Sequence, residues 1–273
     1  MIRTATRDDF GALRALFARA NEAPYDLAAV AAEKCFGAGF AGEPVVRVME
    51  ERGHEAAASV TCGRWLRILV VDRELRRRGL GSALLADAEA RGARIVATEP
   101  GNYFTPGVVD TDGASLAFFD RRGYARTAET DNLEVFLGAF SIEGVRRAEA
   151  AEEERVLDYI EREFGKMWRF EASHAFAGPE PRAFIGESDG AIAGFAVYEA
   201  NNRGLGFFGP TGVSPAQRGR GVGGRLLRAA LAELHRLGHA KAVIPWTAAL
   251  GYYAKWCGAK PAHHFVAFAR PQT

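Results

Sequence analysis

Residues 213–227 read VSPAQRGRGVGGRLL, and residues 71–85 read VDRELRRRGLGSALL. In each stretch an apolar, strand-like run ends at a valine, and a loop rich in arginine and glycine leads directly into a leucine-bearing helix. Glycines allow backbone conformations that other residues rarely adopt, so successive N–H groups can point at one phosphate. The helix start adds unpaired N–H groups and the positive end of its dipole. Each stretch therefore predicts a loop that binds a phosphate or a diphosphate.

We call residues 76–82 the first cradle and residues 218–224 the second cradle. The two stretches match position for position at an offset of 142 residues, so that Val71 corresponds to Val213. A self-match at a fixed spacing indicates a repeat. The chain has 273 residues, which is enough for two domains with cores of their own. We therefore predict domains at residues 1–138 and 145–273, joined by a linker at 139–144.

Composition and charge exclude several classes of protein. The sequence is 48% hydrophobic and 25% charged, which argues against disorder, and its net charge of +1 gives no general attraction to nucleic acid or to an anionic membrane. The start of the chain lacks the apolar stretch of a signal peptide, and no run is long enough to cross a bilayer. Three widely spaced cysteines form neither a disulfide framework nor a zinc pattern. We expect a cytoplasmic protein without a nucleic-acid partner, a membrane partner or a metal.

The order of elements in the first half is typical of an α/β crossover unit. The strand Trp65 to Val71 enters the first cradle, a helix follows, and Ala93 to Thr98 forms the next strand. The segment 99–113 is a long loop, and such loops inside compact domains are often functional. We predict that Tyr124 to Leu137 forms a pair of strands that turns at Asp131-Asn132.

Two hexamers carry a resemblance to a known family. Arg76-Arg77-Arg78-Gly79-Leu80-Gly81 and Arg218-Gly219-Arg220-Gly221-Val222-Gly223 resemble the signature of the GCN5-related N-acetyltransferase (GNAT) family, which reads Gln or Arg, two residues, Gly, one residue, then Gly or Ala. Each copy precedes a Leu-Leu helix, and a Phe-Phe or Tyr-Tyr helix with a following glycine lies downstream. The chain thus resembles a tandem of two GNAT domains. The resemblance implies an α/β (mixed α+β) fold in which each domain has a mixed, mostly antiparallel sheet, flanked by helices, with a splayed central strand pair.

The resemblance also implies acetyl-CoA as the cofactor. The backbone amides of residues 77–82 and 219–224 would hold its pyrophosphate. The strands that end at Val71 and Val213 would pair with its pantetheine arm, and the N–H of Val71 or Val213 could steady the acetyl carbonyl. In the first half the implied cofactor-binding residues are Leu69, Val71, Arg76, Arg77, Arg78, Gly79, Leu80, Gly81 and Ser82. In the second half they are Thr211, Val213, Arg218, Gly219, Arg220, Gly221, Val222, Gly223 and Gly224.

The catalytic groups are less evenly distributed between the halves. Many relatives use a tyrosine before the downstream glycine to protonate the departing thiolate, and Tyr253 fits that place apart from one extra residue. The matching position in the first half is Phe119, which has no proton to give. A carboxylate or a chain of water molecules usually takes the proton of the attacking amine. Glu199 is our candidate for that base, with Glu99 and Asp110 as alternatives.

These observations predict an acyltransferase of the EC 2.3.1 type that moves an acetyl group from acetyl-CoA directly to a primary amine of a small molecule, in a ternary complex. One half is expected to be catalytic and the other degenerate. Two alternatives stay open. One is a non-catalytic acyl-CoA binding or sensing module, and the other is an acetyltransferase like mycothiol synthase, which is also a tandem of this type. We expect a monomer, with the second half as a pseudo-partner, or a homodimer.

Overall fold

The structure is a computed structural model that describes residues 1–51 and 53–271. Contacts divide the chain into two compact units. Unit 1 comprises Met1–Thr130 with the chain from His263 onward, and unit 2 comprises Asp131–Ala262. These bounds differ from the ranges expected from the repeat, because residues 131–138 fall in unit 2 and the last strand falls mainly in unit 1. The division into two repeated domains stays a prediction.

Strands and helices are interspersed along the chain. They are β1 (Ile2–Thr4), α1 (Phe10–Ala20), α2 (Ala31–Phe36), β2 (Val45–Glu51), β3 (His54–Cys62), β4 (Trp65–Val71), α3 (Leu80–Ala90), β5 (Ile95–Val96), β6 (Val108–Val109), α4 (Gly113–Asp120), β7 (Ala125–Phe136), β8 (Arg146–Arg147), α5 (Glu153–Phe164), α6 (Lys166–Ser173), β9 (Ala183–Ser188), β10 (Ala191–Tyr198), β11 (Phe208–Val213), α7 (Val222–Arg236), β12 (Lys241–Thr247), α8 (Leu250–Cys257) and β13 (Lys260–Ala269).

The sheet of unit 1 has the strand order β1-β2-β3-β4-β5-β13, and β6 also pairs with β13. Its neighbours are antiparallel except β4 and β5, which run parallel. The apolar residues of α1 recur at helical spacing, so Leu13, Leu16 and Phe17 are fully buried. Helices α1 and α3 both pack on β3 and β4. This packing fixes β4, the strand that leads into the first cradle.

Unit 2 has an antiparallel sheet in the order β8-β9-β10-β11, while β12 pairs with the second part of β7. Successive residues of β10 face opposite sides of the sheet. Phe195 and Val197 pack in a core with α5 and α6, whereas Ala196 and Tyr198 pack in a core with α7. Helices therefore cover both faces of this sheet. An isolated parallel bridge joins Phe207, the residue before β11, to Val243 of β12.

The predicted fold class is confirmed, because mixed, mostly antiparallel sheets are flanked by helices. One local prediction is wrong: Ala125–Phe136 is a single strand, not a pair that turns at Asp131-Asn132. The side chain of Asn132 is fully buried, and its Oδ1 accepts a hydrogen bond of 2.9 Å from the backbone N–H of Trp246. This bond satisfies Asn132 inside a strand, so its turn preference is overridden. Within the described residues, no helix combines the length and the apolar character needed to span a membrane.

A carboxylate at the start of α5 makes the stability of unit 2 depend on pH. Glu152 accepts hydrogen bonds of 2.7 Å from Arg146 and 2.8 Å from Arg155, and the N–H of Glu149 also bonds its carboxylate. The Arg146 bond is the main cause that lowers the pKa of Glu152 to about 2. A lowered acidic pKa stabilises the fold above the unfolded pKa, and this stabilisation is lost as pH falls from about 4.5 to about 2.

We expect Glu152→Gln to lower the free energy of unfolding of unit 2 by about 1 kcal/mol at pH 7, because solvent screens part of the ion pairs. The difference between the variant and the wild type should shrink to near zero as the pH approaches 2. Urea unfolding followed at a series of pH values measures both quantities. Glu180→Gln, which changes an exposed loop carboxylate, is the control and should have no such effect. A pH-independent loss in Glu152→Gln would contradict the assigned role of the charge.

Candidate active site

The two cradles share one backbone geometry. Gly79 and Gly221 have φ values of +86° and +75°, and each immediately precedes a helix, α3 or α7. The guanidinium Nε atoms of Arg76 and Arg218 each donate a 3.3 Å hydrogen bond to the valine carbonyl that ends the preceding strand. Among the described residues, no side chain caps the start of α3 or α7. The first N–H groups of both helices thus lack a side-chain cap, and anion binding by the two cradles stays a prediction.

In unit 1 the cradle opens into a deep cleft between β4 and β5. The strands are paired only at Trp65–Ile95 and Leu66–Val96, and a cavity of about 560 Å³ begins where this pairing ends. One wall is β4, and the other is formed by Val96, Ala97 and residues 104, 105 and 107–109, which belong to the predicted loop 99–113. The first cradle and α4 complete the lining. This is a splayed strand pair whose gap leads onto the first cradle.

Four arginines line the cavity of unit 1 near the cradle: Arg76, Arg77, Arg121 and Arg122. Arg122 lies 3.7 Å over the Phe118 ring, donates a 3.1 Å bond to the Phe118 carbonyl and also bonds the hydroxyl of Ser82. Burial, and then the charge of Arg121, lower the pKa of Arg122. Cations that are close together and partly desolvated favour a bound anion that neutralises them.

The structure brings most of the predicted cofactor residues of unit 1 together. Those that line the cavity are Leu69, Val71, Arg76, Arg77, Gly79, Leu80, Gly81 and Ser82. Arg78 does not line it, and instead donates a 2.7 Å hydrogen bond to Glu51. The sequence reasoning missed Arg121 and Arg122. Their position directly after the Phe-Phe helix was the available signal, since that helix follows the cradle in the fold.

In unit 2 the second cradle borders a cavity of about 640 Å³ with different walls. The predicted residues that line it are Thr211, Val213, Arg218, Gly219, Gly221, Val222, Gly223 and Gly224, whereas Arg220 does not. No described residue of β12 lines this cavity. Its other wall consists of aromatic side chains, namely Phe164, Trp168, Tyr252, Tyr253 and Trp256. The cavity therefore does not enter the space between β11 and β12.

Glycines in unit 2 make room for these aromatic rings. A Cβ atom added at Gly212 would lie 2.5 Å from the Phe164 ring, and one added at Gly224 would collide with the Trp256 ring. The corresponding positions of the first copy are Val70 and Ser82. The two copies have thus diverged at the groove where a ligand arm would lie along the strand. In unit 2 aromatic side chains lie directly against the strand and the helix at these glycines.

Tyr253, the predicted thiolate acid, lies in the core of unit 2 with its ring centroid 6.3 Å from that of Phe208. Burial raises the pKa of Tyr253, and burial also raises the pKa of Tyr252 to about 12. It is the hydroxyl of Tyr252 that faces the second cradle, 2.8 Å from a Cβ built at Gly223. Both phenols keep their protons at neutral pH and both line the cavity, but Tyr253 is 8% exposed and packs in the core.

The predicted base Glu199 does not line either cavity. It is 3% exposed, and its carboxylate is bound by Arg182, by His239 Nε2 at 2.8 Å and by the N–H of Gly204 at 2.9 Å. These partners occupy the oxygens that a base would need. Of the alternatives, Glu99 is fully buried and forms an ion pair with Arg67.

The remaining alternative, Asp110, is exposed at the end of the predicted loop. Its N–H bonds the His264 carbonyl at 3.0 Å, and it does not line the cavity of unit 1. None of the three carboxylates is thus placed to take a proton from an amine in the cleft.

Comparisons with known proteins bear on this site. Residues 148–259 match the model of the Acetyltransferase (GNAT) family. No curated protein matches the chain.

Among solved structures, a GNAT protein from Sphaerobacter thermophilus has a TM-score of 0.70 at 19% identity, with 100% of this chain and 96% of that chain covered. A tandem GNAT protein from the clavulanic acid pathway, solved without acetyl-CoA, has a TM-score of 0.67 at 16% identity, with 100% and 99% covered. A GCN5-related glucosamine N-acetyltransferase region of a fungal multi-domain enzyme has a TM-score of 0.79 at 18% identity. This chain is covered over 98% of its length, but it spans only 38% of that larger chain. At these identities the likeness shows the fold.

Proposed function

We propose that this chain is an N-acetyltransferase that moves the acetyl group of acetyl-CoA to a primary amine of a small molecule, and that unit 1 holds the working site. The match of residues 148–259 to the GNAT family model and the fold shared with solved GNAT structures support acetyl transfer. The observation that carries the proposal is the cleft of unit 1. It is lined by both splayed strands and ends on an uncapped, arginine-rimmed cradle.

The residues of unit 1 fit the cofactor. The cradle lies close to the strand, because a Cβ added at Gly81 would lie 3.3 Å from Val71 and 3.6 Å from Phe118. The amides of Leu80, Gly81 and Ser82 would hold the diphosphate, with Arg122 as a cationic neighbour. Acetyl-CoA supplies an acetyl thioester, whose carbonyl carbon accepts the amine nitrogen as the C–S bond breaks. Among the residues that the structure describes, the β4 edge that faces β5 has no ladder partner beyond Leu66, so its backbone groups can orient the pantetheine arm.

Unit 2 is proposed as the degenerate half. Its family match shows that its sequence kept the GNAT pattern, but a pattern of cradle and helix residues does not report whether the neighbouring groove is open. Aromatic rings lie against Gly212, Gly223 and Gly224 and line that groove, and its cavity is not bordered by any described residue of β12. For this reason we weigh the cavity geometry above the sequence match, and we give Tyr253 no part in the reaction.

The acceptor amine would bind in the part of the cleft that lies away from the first cradle, and the lining of this part indicates which amine fits. It is lined by the α1–α2 connection and by the loop after β5, with Ala23, Leu27 and Phe104 as apolar members. Its polar side chains are already paired. Asn21 bonds the backbone at Ala23 and Tyr25. An amine on an apolar or aromatic body would therefore lose less solvation here than a sugar or a polyamine.

The acidic side chain of this region is also engaged. Glu22 accepts hydrogen bonds from Arg73 at 2.9 Å and 3.2 Å, and it pairs with Arg76 at 2.8 Å. It is therefore not available to a second ammonium group. We expect the proton of the attacking amine to leave through water.

Acetyl transfer to a panel of amines tests this proposal. We expect kcat/KM for phenethylamine to exceed that for glucosamine or spermidine by about 30-fold or more. This ratio corresponds to a cost of about 2 kcal/mol for polar groups of the acceptor that lose water and gain no hydrogen bond in the cleft. Release of free thiol from acetyl-CoA measures the rate. Glucosamine as the best acceptor would contradict the apolar acceptor class. Acetyl-CoA binding without transfer to any amine would favour the non-catalytic alternative.

A further inference from the structure

A buried ion pair lies at the inner end of the cleft of unit 1. Arg67 Nε donates to Glu99 Oε2 at 2.6 Å and Nη2 donates to Oε1 at 2.9 Å, so the pair is bidentate. Both side chains are 0% exposed. Removing two charges from water costs several kcal/mol, which such a pair often fails to recover in stability. A pair in this setting calls for a role other than stability.

The pair stands where the two cleft strands separate. Arg67 is the bulged residue of β4, because the register with β3 passes from Val60–Ile68 to Thr61–Leu66. Leu66 is also the last residue of β4 that pairs with β5. The chain then turns away at Ala97, which has a φ of +67°, and reaches Glu99. The pair therefore ties the bulge of one strand to the turn that ends the other.

The surroundings hold both partners rigidly. Arg67 Nη1 donates to the carbonyls of Lys34 at 2.9 Å and Gly37 at 3.1 Å, and the N–H of Phe40 donates to Glu99 Oε1 at 3.2 Å. A Cβ added at Gly39 would collide with Glu99 and Arg67. Every oxygen and nitrogen of the pair is thus oriented, and the bidentate geometry leaves little freedom of rotation.

We infer that Arg67 and Glu99 are positioning residues, which fix the angle of the strand splay and with it the β4 backbone along which the acetyl group lies. This inference rests on the proposed function of unit 1. The second copy supports it, because the position that corresponds to Arg67 is Gly209 in the strand before the second cradle, where the cavity does not enter between the strands. The Arg67–Glu99 ion pair thus occurs in the unit whose cavity enters between the two strands.

The decisive variant replaces both partners with apolar residues of similar size, Arg67→Met with Glu99→Met. Such replacements are often neutral for stability, so we expect the thermal midpoint to stay within about 4 °C of the wild type. Since displacement of reacting groups by about 1 Å can cost about a hundredfold in rate, kcat with the best amine of the panel should fall by about that factor. The Kd of acetyl-CoA, set mainly by the cradle, should change by less than about threefold.

Two comparisons complete the test. Arg67→Lys keeps the charge but cannot form the bidentate pair, so kcat should fall by about tenfold or more. The control is the double change Arg147→Met with Glu233→Met, which removes a 2.6 Å ion pair of unit 2 that lines neither cavity. It should leave kcat unchanged.

A folded Arg67→Met, Glu99→Met protein with wild-type kcat would overturn the inference. A parallel collapse of the thermal midpoint, Kd and kcat would overturn it too, since the pair would then serve stability alone. Failure of the wild type to bind acetyl-CoA would instead sink the proposed function, and the inference with it. Calorimetry of the wild type therefore separates the two failures.

Discussion

A Ser82→Glu variant is expected to lose acetyl transfer, with kcat/KM for acetyl-CoA reduced by about a hundredfold or more. Ser82 is the third residue of α3 and lines the cleft of unit 1 beside Arg122. A carboxylate at this place neutralises Arg122 and repels the diphosphate from the helix start, and the lost attraction of about 3 kcal/mol gives the stated factor. Thiol release from acetyl-CoA, with the preferred amine saturating, measures the effect.

The fold itself should tolerate this change. An acidic residue in the first turn of a helix interacts favourably with the helix dipole, so the thermal midpoint should stay at the wild-type value or rise. Tyr253→Phe is the control in unit 2 and should keep turnover within about twofold, because removal of a hydroxyl outside the reaction leaves the barrier unchanged. The reverse pattern, with activity lost in Tyr253→Phe and kept in Ser82→Glu, would place the chemistry in unit 2.

A Gly224→Ala variant is expected to destabilise unit 2 by about 3 kcal/mol, at the upper end of the usual cost of overpacking. The added methyl would collide with the Trp256 ring, which lies against the backbone of α7. Gly224 is buried within the helix, so the backbone cannot move away without disturbing the core of unit 2. Urea unfolding followed by tryptophan fluorescence should show the transition of unit 2 at lower denaturant.

The collision accounts for this loss only if removal of the ring restores stability. We therefore expect Trp256→Ala to relieve most of the cost of Gly224→Ala, with a coupling energy of about 2 kcal/mol in the double-mutant cycle. Ser82→Ala, at the corresponding position of unit 1, should change the unfolding free energy by less than about 1 kcal/mol. Additive effects of Gly224→Ala and Trp256→Ala would mean that the Trp256 ring does not collide with a methyl group at position 224.

The cradles could be predicted from the sequence because their physics is local. Gly79 and Gly221 adopt a positive φ directly before a helix, a conformation that glycine favours. A glycine followed by a helix-forming stretch can be recognised from neighbouring residues of the sequence alone. The strand, cradle and helix order follows from the same short stretches. The fold class could be predicted for the same reason, together with the resemblance that the two hexamers carry.

The working half could not be predicted in this way. The state of each groove depends on contacts between residues far apart in the sequence, such as Phe164 on Gly212 and Trp256 on Gly224. The Tyr-Tyr helix favoured unit 2, but burial of Tyr253 is a property of the packed core. Glu99 similarly reads as a loop carboxylate until Arg67 is placed beside it.

Calorimetric titration of acetyl-CoA tests the central claim most directly. The protein would be compared as the wild type and as the matched variants Arg76→Gln and Arg218→Gln, since each arginine bonds its own strand in the same way. We expect one site per chain, weakened by about tenfold or more in Arg76→Gln, as loss of a charged hydrogen-bond donor implies, and unchanged in Arg218→Gln. Binding that is weakened only in Arg218→Gln would contradict the assignment of the active site to unit 1.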